Sequence, residues 1–282
     1  MWREPCAPPE DGAVMRALYG GALRPLLPII SHKAVSDLGG RLLSARASEK
    51  LVPGFVKRNG IDMSQYPERA YASFNDFFTR EIKPGLRPLP ESETALMAPC
   101  DSRLSAYEID DRLTFRIKSG SYSVSSLLKN RPLAEMFRGG WCLVFRLCVD
   151  DYHRYAYFDS GVQGETVRIC GRYYTVQPVA LRSRDYYKEN TREYTILDTD
   201  HFGRCVHAEI GATFVGRIRN RHGAGHRFTR GEEKGLFEFG GSTVVLLLPR
   251  GVADVDPDVL ENTSRGFETR VLLGETIGKS RR

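Results

Sequence analysis

Phe237-Glu238-Phe239-Gly240-Gly241-Ser242-Thr243 runs directly into Val244-Val245-Leu246-Leu247-Leu248. The two phenylalanines alternate with Glu238 as in a half-buried strand, and the unbroken apolar run has the pattern of a strand covered on both faces. Between them stand two glycines and a hydroxyl residue. Glycine inside a strand pattern marks a bulge, a tight bend or a close approach of backbone. Taken alone, this stretch reads as such a bend, because short motifs match by chance. The flanking chain gives it a second meaning.

A chain of 282 residues, 41% of them apolar, can build one large core or two smaller ones. Short Val, Leu, Phe and Tyr runs bounded by Gly, Asn and Asp favour a β-rich fold. The six cysteines, Cys6, Cys100, Cys142, Cys148, Cys170 and Cys205, form no CxxC pair or compact spacing. A zinc site or disulfide framework is therefore not expected, and a reducing compartment is. The opening Met1-Trp2-Arg3-Glu4-Pro5 has no basic or apolar segment of a signal peptide, and no apolar stretch approaches the length of a membrane span. We expect a soluble or surface-bound protein. A net charge of +6 suits an anionic partner, either nucleic acid or acidic lipid.

From Ala13 to Ile30 glycines and prolines break an apolar stretch into short helical pieces. From His32 to Phe55 the spacing of Val35, Leu38, Leu42, Leu43 and Leu51, with Arg41, Arg46 and Lys50 elsewhere, predicts one basic amphipathic helix. Such a helix either lies in a membrane interface or packs on the core with a solvated basic face. Helical character is expected to continue from Glu68 to Phe78. His222 and His226 flank Gly223-Ala224-Gly225 among several arginines, which argues against a helical metal pair; an exposed basic hairpin loop facing phosphate headgroups or solvent is expected, and no metal.

Ser73-Phe74-Asn75-Asp76-Phe77-Phe78-Thr79-Arg80, followed by Lys83-Pro84-Gly85-Leu86-Arg87-Pro88, ends a helix and has three phenylalanines to bury. It resembles the FxDFFxRxLKPGxRP signature of phosphatidylserine decarboxylases. Further segments resemble that family in the same order. Ala98-Pro99-Cys100-Asp101-Ser102 corresponds to its PxDG turn, with Ser102 in place of glycine. Ile117-Lys118-Ser119-Gly120 and Tyr122–Leu128 resemble its VKG and YSLxxLL segments, expected as a strand running into a helix. Asp150-Asp151-Tyr152-His153-Arg154 carries its DYHR tetrad. Tyr173–Pro178, Glu189–Glu193, Ile210–Ile218 and Gly231–Gly235 follow. The resemblance covers about residues 70 to 250. One departure stands out: many members place a second histidine three residues after the first, and here that position is Ala156.

The resemblance implies an α+β fold with a mainly antiparallel β core of barrel or sandwich type and N-terminal amphipathic helices. It implies a helical, membrane-facing region over residues 1–70 and a catalytic domain over 71–282. It also implies self-cleavage at the Gly241-Ser242 bond: the Ser242 hydroxyl attacks the Gly241 carbonyl, the resulting ester eliminates, and residue 242 becomes a covalent pyruvoyl cofactor. The chains 1–241 and 242–282 would then remain together as a heterodimer, with homo-oligomerisation left open.

In that scheme His153, supported by Asp101, is the base for self-cleavage and later the proton donor. Ser242 is the pyruvoyl precursor, and Gly241 supplies flexibility and the scissile carbonyl. Phosphatidylserine would be converted to phosphatidylethanolamine through a Schiff base, by an enzyme peripheral on the cytoplasmic face of the cell membrane. The expected partner is an anionic phospholipid surface, not nucleic acid. Two alternatives remain: a related pyruvoyl-dependent decarboxylase of another amino-acid derivative, and a lipid-binding homologue that does not self-process.

Overall fold

The computed structural model describes residues 2–7, 17–18, 21, 23–117, 120–171, 190–211, 217–239 and 242–281. Gly240, Gly241, Lys118, Ser119, Tyr173–Pro178, Glu189 and residues 212–216 lie outside them, as does much of the stretch before Leu23.

The apolar run at the end of the opening motif is the strand Ser242–Leu248, and it lies within a nine-stranded sheet. In spatial order the strands are Pro5–Cys6, Glu268–Val271, Ser102–Glu108, Trp141–Leu147, Ser242–Leu248, Gly203–Ile210, Arg192–Thr199, Gly161–Ile169 and Arg227–Phe228. Every neighbouring pair is antiparallel. Among the described residues the sheet is open: its two edge strands are different elements that do not pair with each other, so it does not close into a barrel.

Side chains of a strand alternate between faces, and here both faces are dry. Val244, Leu246 and Leu248 join Leu104, Phe145, Tyr155 and Phe237 in one core. Val245 and Leu247 join Val206, Ala208 and Cys142 in another, roofed by the helices Val124–Leu128 and Arg131–Glu135. A buried Val or Leu contributes about 1.5–3 kcal/mol each, so this strand is firmly held in register. The expected antiparallel core, a strand covered on both faces, is what the structure shows. The strands Thr114–Ile117 and Gly120–Ser123 pair antiparallel, and the second runs into the helix Val124–Leu128 as anticipated. None of the six cysteines is in a disulfide among the described residues.

The first half of the opening motif belongs elsewhere. Glu233–Phe237 lies in a three-stranded sheet between Ile218–Asn220 and Arg154–Ala156. The chain therefore leaves one sheet at Phe237 and enters another at Ser242. Gly235 makes the first sheet possible, because a Cβ there would stand 2.3 Å from the Arg219 carbonyl and 2.6 Å from the Tyr155 hydroxyl.

The helix expected over His32–Phe55 is divided. Lys33–Ser44 is helical, Ala45 is extended (ψ 143°), Arg46–Leu51 is a 3₁₀ segment, and a second helix covers Val52–Asn59. Pro53 lacks the N–H that a helix interior needs and sits instead in the first turn of the new helix. Ser48 stabilises the break by donating from Oγ to the carbonyls of Leu43 and Ala45. The helix expected over Glu68–Phe78 is also shorter: only Phe74–Phe78 is helical. Ser73 Oγ accepts from the Asp76 N–H and so caps its start. Among the described residues no helix is long and apolar enough to cross a membrane.

Candidate active site

Ser242 begins the central strand, opposite Leu147, the last residue of the neighbouring strand Trp141–Leu147. Beyond Leu147 the chain turns through Cys148–Tyr152 and re-enters the small sheet at Arg154. Asp151 shapes that turn by accepting the Cys148 N–H at Oδ2 (2.7 Å), and Arg103 faces its Oδ1 at 3.3 Å. Burial raises the Asp151 carboxyl above its ordinary pKa, and Arg103 opposes the rise. His153 is the residue this turn delivers.

The imidazole of His153 is 1% exposed. Its Nδ1 lies 2.9 Å from the Asp151 carbonyl oxygen. A carbonyl only accepts, so the ring hydrogen sits on Nδ1 and Nε2 presents a lone pair. Burial holds the pKa down at about 3, partly opposed by the Asp151 contact and reinforced by the Arg80 guanidinium. The ring packs on Phe78 with centroids 4.0 Å apart.

Among the described residues five buried side-chain polar atoms have no partner: Oγ of Ser242, Nε2 of His153, Nε of Arg80, Nε2 of His207 and Oγ of Ser36. An unsatisfied buried hydroxyl costs about 1–3 kcal/mol, and orphans of this kind concentrate where chemistry needs a free lone pair or proton. The residues between the two sheets connect them. The Phe237 N–H donates to the His153 carbonyl (2.9 Å), and the Phe239 N–H donates to Asn75 Oδ1 (3.0 Å). The chain is thus tied on both sides of Glu238 before it reaches Gly240 and Ser242.

Asn75 makes a contact to this segment that motif reading passed over. It belongs to the short helix Phe74–Phe78, and its Nδ2 donates to Ser44 Oγ at 3.1 Å. Phe74, Phe77 and Phe78 anchor that helix in a third apolar cluster with Tyr66 and Tyr152, against which Phe55 and Phe239 pack. Phe239 meets Phe74 at 4.9 Å and Phe78 at 5.0 Å between ring centroids, both edge to face. The signature helix therefore grips the segment preceding Ser242 by backbone and side chain together.

Asp101 is placed differently from expectation. Its carboxylate receives Arg87 Nε at 2.9 Å and Nη2 at 2.5 Å, and the Leu273 N–H at 2.8 Å. Its described hydrogen bonds reach neither His153 nor Ser242. Arg87 comes from the Lys83–Pro88 part of the signature, so a buried ion pair joins the signature to the Ala98–Ser102 turn. Ser102, where relatives have glycine, fits without strain: it is fully buried and its hydroxyl donates to the Cys100 carbonyl at 3.3 Å. Ala156 is buried in the small sheet and brings no second imidazole.

A second polar cluster lies on the same face of the main sheet as Ser242. Glu209, opposite Val244, accepts Lys234 Nζ at Oε1 (2.5 Å), and His207 Nδ1 lies 2.7 Å from the same oxygen. Burial works against the Glu209 carboxylate, but the Lys234 ammonium outweighs it and the pKa is held below the ordinary range. Asn220 completes the cluster, accepting from Lys234 and donating to Glu193 and Glu209. The cluster bolts the small sheet to the large one beside the site. Sequence patterns did not single it out.

The phosphatidylserine decarboxylase family model matches residues 74–279. Similar proteins include phosphatidylserine decarboxylase proenzyme 2 of Clostridium acetobutylicum, 41% identical over 94% of this chain and 91% of that one. The phosphatidylserine decarboxylase proenzyme of Clostridium perfringens is 42% identical over 88% of this chain and 86% of its own length. That of Ruminiclostridium cellulolyticum is 41% identical over 95% and 91%.

Proposed function

Because the chain belongs to the phosphatidylserine decarboxylase family, we propose that it decarboxylates phosphatidylserine after cleaving itself at the Gly241-Ser242 bond. The observation that carries this reading is that Ser242 Oγ and His153 Nε2 are both buried without a partner among the described residues, while the segment before Ser242 is clamped by the family signature. They fit the making of a pyruvoyl group at residue 242: a free hydroxyl is needed to attack the preceding carbonyl, and a free lone pair to take its proton. The pyruvoyl carbonyl supplies the electron sink that decarboxylation of an amino acid requires and side chains lack.

His153 accepts the Ser242 proton at Nε2, with Nδ1 held by the Asp151 carbonyl. Burial disfavours the protonated ring, so a proton taken from Ser242 would pass on to the departing group during cleavage. Phe78 and the surrounding cluster keep water from the imidazole. Asp101 supports the site at one remove, by fixing Arg87 and the backbone at Leu273.

Residues 1–70 form the membrane-facing part and 71–282 the catalytic domain. Leu38 and Leu42, one helical turn apart, are 59% and 63% exposed, with Arg41, Arg46 and Lys50 exposed nearby. An exposed apolar pair flanked by cations suits an anionic lipid surface, where this enzyme would bind peripherally from the cytoplasmic side. The pieces 1–241 and 242–282 stay together as a heterodimer.

Intact mass and denaturing gels test the reading. Wild-type protein should appear as two pieces, the second with a pyruvoyl N-terminus at position 242, and Ser242→Ala as one. Carbon dioxide should be released from phosphatidylserine vesicles and not from free serine. A wild-type chain that stays whole under active conditions would refute self-processing; release from free serine alone would refute the lipid substrate.

A further inference from the structure

The turn between Ile218–Asn220 and Arg227–Phe228 was expected to be an exposed basic hairpin. Its two histidines are instead half-buried and directed at one carboxylate. The rings of His222 and His226 lie face to face, centroids 3.8 Å apart and planes 4° from parallel. Glu232 Oε1 stands 3.1 Å from Nε2 of His222 and 2.6 Å from Nε2 of His226. The three potential ligand atoms fall within 4.8 Å of one another.

The groups behind this cluster hold it in place. Gln163, 2% exposed, donates its N–H to the His226 carbonyl (2.8 Å) and its side-chain amide to the His222 carbonyl (2.7 Å). Its Oε1 accepts the Tyr157 hydroxyl at 2.5 Å, so one buried glutamine fixes the backbone of both histidines. The other oxygen of Glu232 accepts the Thr229 N–H at 3.0 Å, which leaves Oε1 aimed at the imidazoles. Outer contacts of this kind orient ligands in metal centres.

We propose that His222, His226 and Glu232 bind one divalent transition-metal ion of the zinc class, with solvent as the fourth ligand. Two imidazole nitrogens and one carboxylate oxygen suit Zn²⁺, Co²⁺, Ni²⁺ or Cu²⁺ and not the all-oxygen preference of Mg²⁺ or Ca²⁺. Bonds of about 2.0–2.1 Å place tetrahedral ligand atoms about 3.3 Å apart, so Glu232 Oε1 must draw back from His226 and the two stacked rings must splay until their Nε2 lone pairs converge. The cation would bind among arginines, but Arg221 is paired with Glu233 and Arg219 with Glu238. The role is structural. The ion would tie the turn to the base of the strand Glu233–Phe237, whose far end donates to the His153 carbonyl.

Untagged full-length protein, stripped with a chelator, provides the test. Titrated with Co²⁺ near neutral pH, it should give a saturable visible absorption at one equivalent, which Zn²⁺ displaces, and Zn²⁺ should raise the melting temperature. His222→Gln and Glu232→Gln should each weaken Co²⁺ binding roughly tenfold or more. The double variant H222Q/H226Q should lose the absorption while keeping the wild-type near-ultraviolet circular dichroism. No saturable binding, or wild-type affinity in the double variant, would overturn the proposal. None of these readouts depends on self-cleavage or decarboxylation.

Discussion

Asn75 Oδ1 accepts the backbone N–H of Phe239 at 3.0 Å, across 164 residues of sequence. The contact fixes the backbone two residues before Gly241. Asn75→Ala leaves that N–H without its partner, a cost of about 1–3 kcal/mol. If the clamp forms before cleavage, the rate of self-cleavage should fall about tenfold or more by timed denaturing gels. Asn75→Asp retains the acceptor and should cleave much faster than the alanine variant; equal rates in the two would show that the hydrogen bond does not set the geometry.

For His153 the expectation concerns pH. Because its pKa lies near 3, self-cleavage should show no inflection around pH 6.5 and should stay level until the protein unfolds in acid. The same depression has a stability consequence. Between about 6.5 and 3 the unfolded chain binds a proton that the folded imidazole refuses, so stability is full above that window and declines as pH falls through it. The slope from this group approaches about 1.4 kcal/mol per pH unit. His153→Gln should abolish cleavage and flatten the denaturant-measured slope, only in part because burial also depresses His207.

Arg87 and Asp101 form a buried bidentate pair, with side chains 10% and 6% exposed. Removing one partner strands the other, at about 3–5 kcal/mol. Asp101→Asn and Arg87→Met should therefore lower the melting temperature alike and slow cleavage alike. An Asp101→Asn protein that is stable yet uncleaved, beside a fully active Arg87→Met, would instead mean that the carboxylate acts directly on the reacting groups.

Lys234→Met should destabilise by a similar amount, since Glu209 would be left charged and buried. Combining it with Glu209→Gln should restore part of the loss, and chemical denaturation of the four proteins of the cycle measures the coupling.

On the lipid side, Leu38→Asp with Leu42→Asp should reduce sedimentation with anionic vesicles about tenfold or more, since each leucine removed from an apolar contact forfeits about 1.5–3 kcal/mol. Self-cleavage should be unchanged, because neither side chain is packed in the core. Undiminished vesicle binding would place the lipid contact elsewhere.

What the sequence revealed and what it hid follow from the range of the interactions. The strand at Val244–Leu248 was legible because its own composition answers to burial on both faces. Ser242, His153 and Asp101 stood out because each sits in a contiguous motif. Asn75 did not: nothing local distinguishes an amide that grips a backbone from one that faces water. Arg87 likewise looked like turn punctuation until the fold brought it to Asp101. The fresh helix start at Pro53 and the late start at Ser73 were visible as a proline and a capping serine, signals that the apolar periodicity overrode. Glu209 and Lys234 belong to separate strands, and only tertiary pairing makes a charged residue tolerable in such a core.

The central position of Ser242–Leu248 has a last consequence. This strand is flanked by Trp141–Leu147 on one side and Gly203–Ile210 on the other, both from the N-terminal piece. Cutting the chain just before it would sever a covalent link without freeing anything: the shorter fragment is threaded through the longer one's sheets and could leave only by unzipping five ladders, two of them on this strand. A scission product of this kind behaves as an embedded splint. Its new end would also be spared a familiar difficulty, because a terminus carrying the proposed ketone in place of an ammonium would introduce no charge where residue 242 is wholly buried.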